Sequence, residues 1–170
     1  MKIRKSVFDD LNEILAIYAY ARDQMRRSGN PDQWGTDRPS ADVVKNDIQT
    51  GCSYVITDPA ANDIVGVFAF LTGDEPTYQT IENGSWLNHE PYGTIHRIAS
   101  NGRQKGIFHC CMQFCESRAA NIRIDTHKNN TLMQHLLESS GYQKCGIIYV
   151  SENSPRIAYQ KVLKHCQSLS

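Results

Sequence analysis

The sequence predicts an α/β domain with a mixed central sheet flanked by helices, in the order β-α-α-β-β-β-α-β-α-β-β. Three observations lead there. Helical patterning recurs in four segments bounded by capping or breaking residues. β-branched and aromatic residues gather in short runs between turn residues. In the second half, strand and helix alternate, which is where a parallel crossover belongs.

Taken in order, residues 2–6 form a strand and residues 10–27 a helix, opened by a capping box of Asp10 and Glu13. Leu11, Ile14, Leu15, Tyr18, Ala21 and Met25 make its apolar stripe. Ser28-Gly29-Asn30-Pro31 stops it, and a shorter helix capped by Ser40 runs to about Thr50. Cys52–Thr57 and Ile64–Leu71 read as a hairpin around the turn Asp58-Pro59-Ala60-Ala61-Asn62-Asp63. Residues 73–91 are polar and loop-like, and Tyr92–Ser100 is the next strand. Ile107–Ala119 is a strongly apolar helix and Ile122–Asp125 a short strand. A helix over 130–140 carries the stripe Leu132, Met133, Leu136 and Leu137 and ends at Gly141. Tyr142–Val150 and Arg156–Val162 complete the strands.

A chain of 170 residues suits one domain over 1–170. The 18 basic and 18 acidic side chains cancel, which removes the charge basis for non-specific nucleic-acid binding. Residues 1–5 lead into an amphipathic pattern rather than a secretory leader, and no apolar run approaches the roughly 18 residues of a membrane span. The expectation is a cytoplasmic protein without nucleic-acid or membrane partners. Six cysteines, Cys52, Cys110, Cys111, Cys115, Cys145 and Cys166, lack the C-x-x-C pairing of zinc or redox motifs. They read as small core hydrophobes, and no metal is expected.

The segment richest in chemistry is Ile98-Ala99-Ser100-Asn101-Gly102-Arg103-Gln104-Lys105-Gly106-Ile107-Phe108. A strand ends, a polar turn with two glycines follows, and a helix begins. The first N–H groups of a helix have no intrahelical partner, and the helix dipole adds positive potential there. That combination suits a pyrophosphate. Gly106 removes a Cβ from the approach, and Arg103 and Lys105 add charge. By themselves these features fit a plain tight turn equally well.

This segment resembles the turn of the GCN5-related N-acetyltransferase (GNAT) family, whose pattern is Q/R-x-x-G-x-G/A. Arg103 fills the first position and Gly106 the fourth, while Phe108 stands where Gly or Ala is usual. A second block also resembles the family: Arg123-Ile124-Asp125-Thr126-His127-Lys128-Asn129-Asn130, then Met133, Leu136-Leu137-Glu138 and Gly141-Tyr142. The resemblance spans nearly the whole chain and implies a GNAT-like mixed sheet and an acetyl-CoA-dependent N-acetyltransferase. It implies cofactor contacts from Ile98, Ala99, Ser100, Arg103, Gln104, Lys105, Gly106, Ile107 and Phe108. Asn129, Asn130 and Met133 would then serve the pantetheine arm, although Asn at a helix start is also an excellent cap. Many relatives carry, one turn beyond Met133, a Tyr that protonates the departing thiolate; Leu137 stands there and cannot donate.

The implied reaction needs a neutral amine, a polarised thioester carbonyl and close placement of the two. A base takes the amine's proton, and the candidates are His96, on the strand that meets the thioester, and His127, which precedes the pantetheine asparagines. Of these His96 is the stronger candidate. Tyr20, Gln33 and Trp34 are the acceptor-site candidates, with Trp34 equally readable as an edge-of-core residue. The acceptor is a small-molecule or peptide amine. Many members of the family dimerise, which makes a homodimer one expectation by analogy, and these residues leave the oligomeric state open. The rival readings are a catalytically silent acyl-CoA-binding sensor or partner module of the same fold, a protein using the turn for another phosphate, and a thiol redox protein. No Walker or G-x-G-x-x-G sequence supports the second.

Overall fold

The computed structural model describes residues 1–61, 63–150 and 153–163; Cys166 and the turn residue Asn62 lie outside them. The elements are β1 (Lys2–Lys5), α1 (Leu11–Arg27), α2 (Ala41–Gln49), β2 (Ser53–Thr57), β3 (Ile64–Thr72), β4 (Gly93–Ser100), α3 (Ile107–Glu116), β5 (Asn121–Thr126), α4 (Thr131–Ser139), β6 (Gln143–Val150) and β7 (Ser154–Val162). Among the described residues, seven strands and four helices follow one another in the order the sequence predicts. No helix among the described residues is long and apolar enough to cross a membrane. The described residues divide into two compact units, one drawn from 1–71 and 95–114, the other from 72–94 and 115–163.

In the first unit the strand order is β1-β2-β3-β4. β1 and β2 pair antiparallel with Lys2 opposite Thr57, and β2 and β3 form the expected hairpin with Tyr54 opposite Phe68 and Val55 opposite Val67. Side chains alternate across a strand, so these two pairs face opposite ways. Val55 and Val67 join Ile64 and Ala99 under Ile14, Ile17 and Tyr18 of α1 and Val44 and Ile48 of α2. Burying each of these aliphatic side chains contributes about 1.5–3 kcal/mol. On the other face the Phe114 ring of α3 packs edge-on against Tyr54 and Phe68, with centroids 4.9 and 5.6 Å away.

The capping box expected at the start of α1 does not form. Phe8–Asp10 make a short 3-10 turn that runs straight into the helix, and Asp10 has helical backbone angles (φ −77, ψ −11) unsuited to an N-cap. Its carboxylate instead turns back to accept two hydrogen bonds from the Arg4 guanidinium, at 2.7 and 2.9 Å, and one from the Val7 N–H at 2.8 Å. Glu13 accepts from the Ile64 N–H at 3.2 Å, tying α1 to the first residue of β3.

In the second unit β5 and β6 both pair antiparallel with β7, which lies between them. The loop-like segment 73–92 contains one 3-10 turn, Pro76–Tyr78. It covers Cys145, Ile148 and Ala158 with the rings of Tyr78 and Trp86. The backbones of Glu82 and Ile147 exchange two hydrogen bonds of 2.8 Å, so the segment adds a short bridge to β6.

Candidate active site

The predicted anion turn lies in the first unit, between β4 and α3. Gly102 and Gly106 both take left-handed backbone angles, φ +73 and +83. The two differ in surroundings. A Cβ on Gly106 would make an ordinary contact 3.5 Å from Met1, whereas a Cβ on Gly102 would collide with the Tyr20 hydroxyl. Tyr20, predicted to serve the acceptor, therefore sets its hydroxyl against the turn at Gly102. Asn101 shapes the turn from within: its Oδ1 accepts from the Arg103 N–H at 3.0 Å and its Nδ2 donates to the Ile64 carbonyl at 3.0 Å. Arg103 and Lys105 are exposed, and Arg103 stands 3.7 Å from Asp63. Gln104 and Phe108 are half-buried. Cys110 N–H donates to the Gly106 carbonyl, so the N–H groups of Ile107, Phe108 and His109 lie in the first turn of α3, where intrahelical partners do not reach.

Ahead of that turn, β4 does something its sequence does not announce. Arg97 takes φ +57 within the strand, a conformation that costs a non-glycine residue on the order of 1–2 kcal/mol. Around it the inside-outside alternation lapses, and His96, Arg97 and Ile98 are all half-buried in succession. The Tyr18 hydroxyl donates to the Arg97 carbonyl at 3.2 Å, and the Arg97 guanidinium stands 2.8 Å from the buried carboxylate of Asp47. Burial drives the Tyr18 hydroxyl far above the ordinary phenol range, so it remains a donor. Ala99 is buried in the core beneath α1 and α2, and Ser100 ends the strand.

Trp34 packs edge-on against Tyr18, with ring centroids 5.5 Å apart, at the border of the core. Gln33 accepts from the Asn30 side chain at 2.7 Å. Of the acceptor candidates, then, Tyr20 approaches Gly102 in the turn before α3, Trp34 supports the core and Gln33 fastens the loop leaving α1.

The second unit holds the remaining candidates. Asn130 caps α4, its side chain accepting from the Met133 N–H at 3.1 Å. Asn129 and Met133 are half-buried beside it. His127 is buried, and its Nδ1 accepts from the Asn129 N–H at 3.2 Å. A backbone N–H can only donate, so Nδ1 carries a lone pair and Nε2 carries the proton of the neutral ring. Leu137 is fully buried. The hydroxyls of Tyr142 and Tyr159 donate to Glu116 and Glu138 at 3.2 and 3.1 Å, and burial together with the Glu138 carboxylate pushes Tyr159 up to about 12.

Cys111 and Cys115 are fully buried and burial raises the Cys110 thiol, the opposite of what a reactive thiolate requires. Among the described residues no group of three His, Cys, Asp or Glu is placed to hold a metal ion. Sequence reading overlooked Arg97, Asp47 and Tyr18. The one available signal was Asp47 itself, a carboxylate three residues from Val44 on the buried stripe of α2.

No family model and no curated protein matches the chain. Solved structures do. A GNAT-family acetyltransferase from Streptococcus agalactiae is 29% identical with a TM-score of 0.86, over 96% of this chain and 95% of that one. A GNAT-family acetyltransferase from Listeria monocytogenes is 19% identical with a TM-score of 0.71, over 95% and 94%. A phosphinothricin acetyltransferase of the GNAT superfamily from Sinorhizobium meliloti, solved in complex with AcCoA, is 14% identical with a TM-score of 0.62, over 99% and 91%. The last two likenesses speak for the fold alone. The architecture is the GNAT fold, and the structural neighbours across nearly the full chain are GNAT-family acetyltransferases.

Proposed function

We propose that this chain is an acetyl-CoA-dependent N-acetyltransferase that passes an acetyl group to a primary amine by direct attack. The observation that carries the reading is the turn ahead of α3, where left-handed Gly102 and Gly106 bring β4 into a helix start flanked by Arg103 and Lys105. A pyrophosphate finds backbone donors and a favourable dipole there. The relative from Sinorhizobium meliloti was solved with AcCoA, which supports the same co-substrate for this fold.

In the proposed reaction the amine nitrogen attacks the thioester carbonyl, the C–S bond breaks and CoA leaves as a thiolate. Backbone N–H groups of Ile98–Ser100 polarise the carbonyl as an oxyanion hole does. His96, half-buried on β4, receives the amine's proton directly or through water. His127 is the weaker base, because its Nδ1 lone pair is engaged by the Asn129 N–H. Leu137, buried and apolar, supplies no proton to the thiolate, which takes one from water or another group.

The test is calorimetric titration with acetyl-CoA, CoA and ATP, followed by thiol release over a panel of amines. Micromolar binding of acetyl-CoA, weaker binding of ATP, and thiol release dependent on one amine class are the expected results. Absence of binding by both CoA species overturns the reading. Binding without turnover by any amine would favour a silent acyl-CoA sensor or partner module, the reading that Leu137 supports.

A further inference from the structure

We propose that the Arg97–Asp47 ion pair is a positioning device for the donor thioester, holding the left-handed bend of β4 so that the Ile98–Ser100 backbone meets the carbonyl in one fixed geometry. The proposal rests on the acetyl-CoA reading above.

Three observations converge on it. Arg97 is not a glycine, yet it holds φ +57 inside a strand, and such a conformation persists only where its surroundings enforce it. Arg97 is gripped at both ends. Its carbonyl accepts from the Tyr18 hydroxyl at 3.2 Å, and its Nη2 lies 2.8 Å from Asp47 Oδ2. The two grips are themselves held. Tyr18 is buried on α1 with the Trp34 ring edge-on against it. Asp47 is buried on α2, its Oδ1 receives the Cys52 thiol at 3.6 Å, and its carbonyl receives the Cys52 N–H at 3.0 Å.

The chemistry of the grip matters. A buried ion pair adds little stability compared with an apolar pair of the same volume, because both charges are taken out of water. What it adds is direction. Arg97 is the residue immediately ahead of Ile98, so a rotation at Arg97 re-aims the following N–H groups. Displacing a polarising donor by about 1 Å can cost on the order of 100-fold in rate.

The experiment uses the full chain with CoA and with isotope-labelled acetyl-CoA, reading Kd by calorimetry and the thioester carbonyl band of the bound ligand by infrared difference spectroscopy. In the wild-type protein the band moves to lower frequency on binding, as expected for a polarised carbonyl. Asp47→Asn and Arg97→Gly lose at least half of that shift while their Kd for CoA stays within about threefold, and Arg97→Lys retains most of it. Glycine takes φ +57 without strain, so Arg97→Gly separates the tether from the backbone angle even if Asp47→Asn fails to fold. A full wild-type shift in Arg97→Gly, or in a folded Asp47→Asn, overturns the proposal. So does an unshifted band in wild-type protein that binds acetyl-CoA. Absence of CoA binding by the wild type overturns the donor reading itself, and the proposal with it.

Discussion

Ile107 opens α3 by seating its Cγ2 methyl on Gly66 of β3, 2.7 Å from where a Cβ on that glycine would stand. The Ala99 carbonyl lies 3.3 Å from the same point. Gly66→Ala must push the start of α3 off the sheet, and overpacking of this kind costs about 1–3 kcal/mol. A thermal melt is expected to show a fall of several degrees, with weaker acetyl-CoA binding by calorimetry. Adding Ile107→Ala restores room, so the double variant loses less than the sum of the two single losses; strict additivity would show that the contact is not the cause.

Gly102 and Gly106 are both left-handed, but they should respond differently to alanine. Gly106→Ala pays for the backbone angle alone, about 1 kcal/mol. Gly102→Ala pays that and must also displace the Tyr20 hydroxyl. Chemical denaturation is expected to rank Gly102→Ala as the less stable, and Tyr20→Phe combined with Gly102→Ala to recover the difference. Equal losses would contradict the contact with Tyr20.

The Arg4–Asp10 pair gives a pH dependence with a definite sign. The Arg4 guanidinium, as hydrogen-bond donor, holds Asp10 below the ordinary carboxylate range; burial opposes this, and the Val7 N–H adds to it. A carboxyl whose pKa is depressed on folding contributes stability that is present above its unfolded pKa, near 4, and is lost as pH falls through the folded value. Arg4 is half-exposed, so the contribution is screened to about 1 kcal/mol. Melting curves from pH 7 down to pH 2 should show Asp10→Asn losing stability relative to wild type near neutrality and converging with it in acid.

Arg123 is buried with its guanidinium 4.2 Å from the Trp86 ring centre and 3.9 Å from that of Tyr92, and its Nη2 donates to the Asn88 carbonyl at 2.9 Å. It fastens segment 73–92 through cation–π attraction rather than through a carboxylate. Arg123→Ala opens a cavity and should cost about 3 kcal/mol, with faster proteolysis within 73–92. Arg123→Met fills the space without a buried charge and is expected to cost less than half as much by denaturant titration.

The two histidines separate by assay. His96→Ala is expected to lower kcat/KM by about 10²–10⁴ with little change in Tm, as loss of a general base does. His127→Ala should act chiefly on stability, since its Nδ1 holds the Asn129 N–H at the turn into α4. Unchanged kcat/KM for His96→Ala across the pH range removes His96 from the mechanism.

Much of this architecture was legible from local patterns. The stripe of α1, the hairpin of β2 and β3 and the cap at Asn130 depend on residues close in sequence, so spacing and residue type suffice to find them. The stripe expected on α4 holds only in part, because Leu137 is buried while Leu132 is 68% exposed. The capping box at Asp10 failed because a competing partner, Arg4, comes from the neighbouring strand end and binds the same carboxylate better than a helix N–H would. The glycines of the turn between β4 and α3 were visible as glycines, but the demand on Gly102 comes from Tyr20, roughly eighty positions earlier in the chain.

By itself, then, the sequence determined the order of the elements, the glycine-bearing turn between β4 and α3 and the apolar residue at position 137. Only the tertiary structure decided that Arg97 bends β4, that Asp47 and Tyr18 hold the bend, and that His127 spends its Nδ1 lone pair on a backbone N–H. The physical reason is the range of the interactions. Propensity and periodicity are set within one or two turns of chain, whereas a strained backbone angle on a non-glycine residue is sustained by partners that packing brings from distant segments.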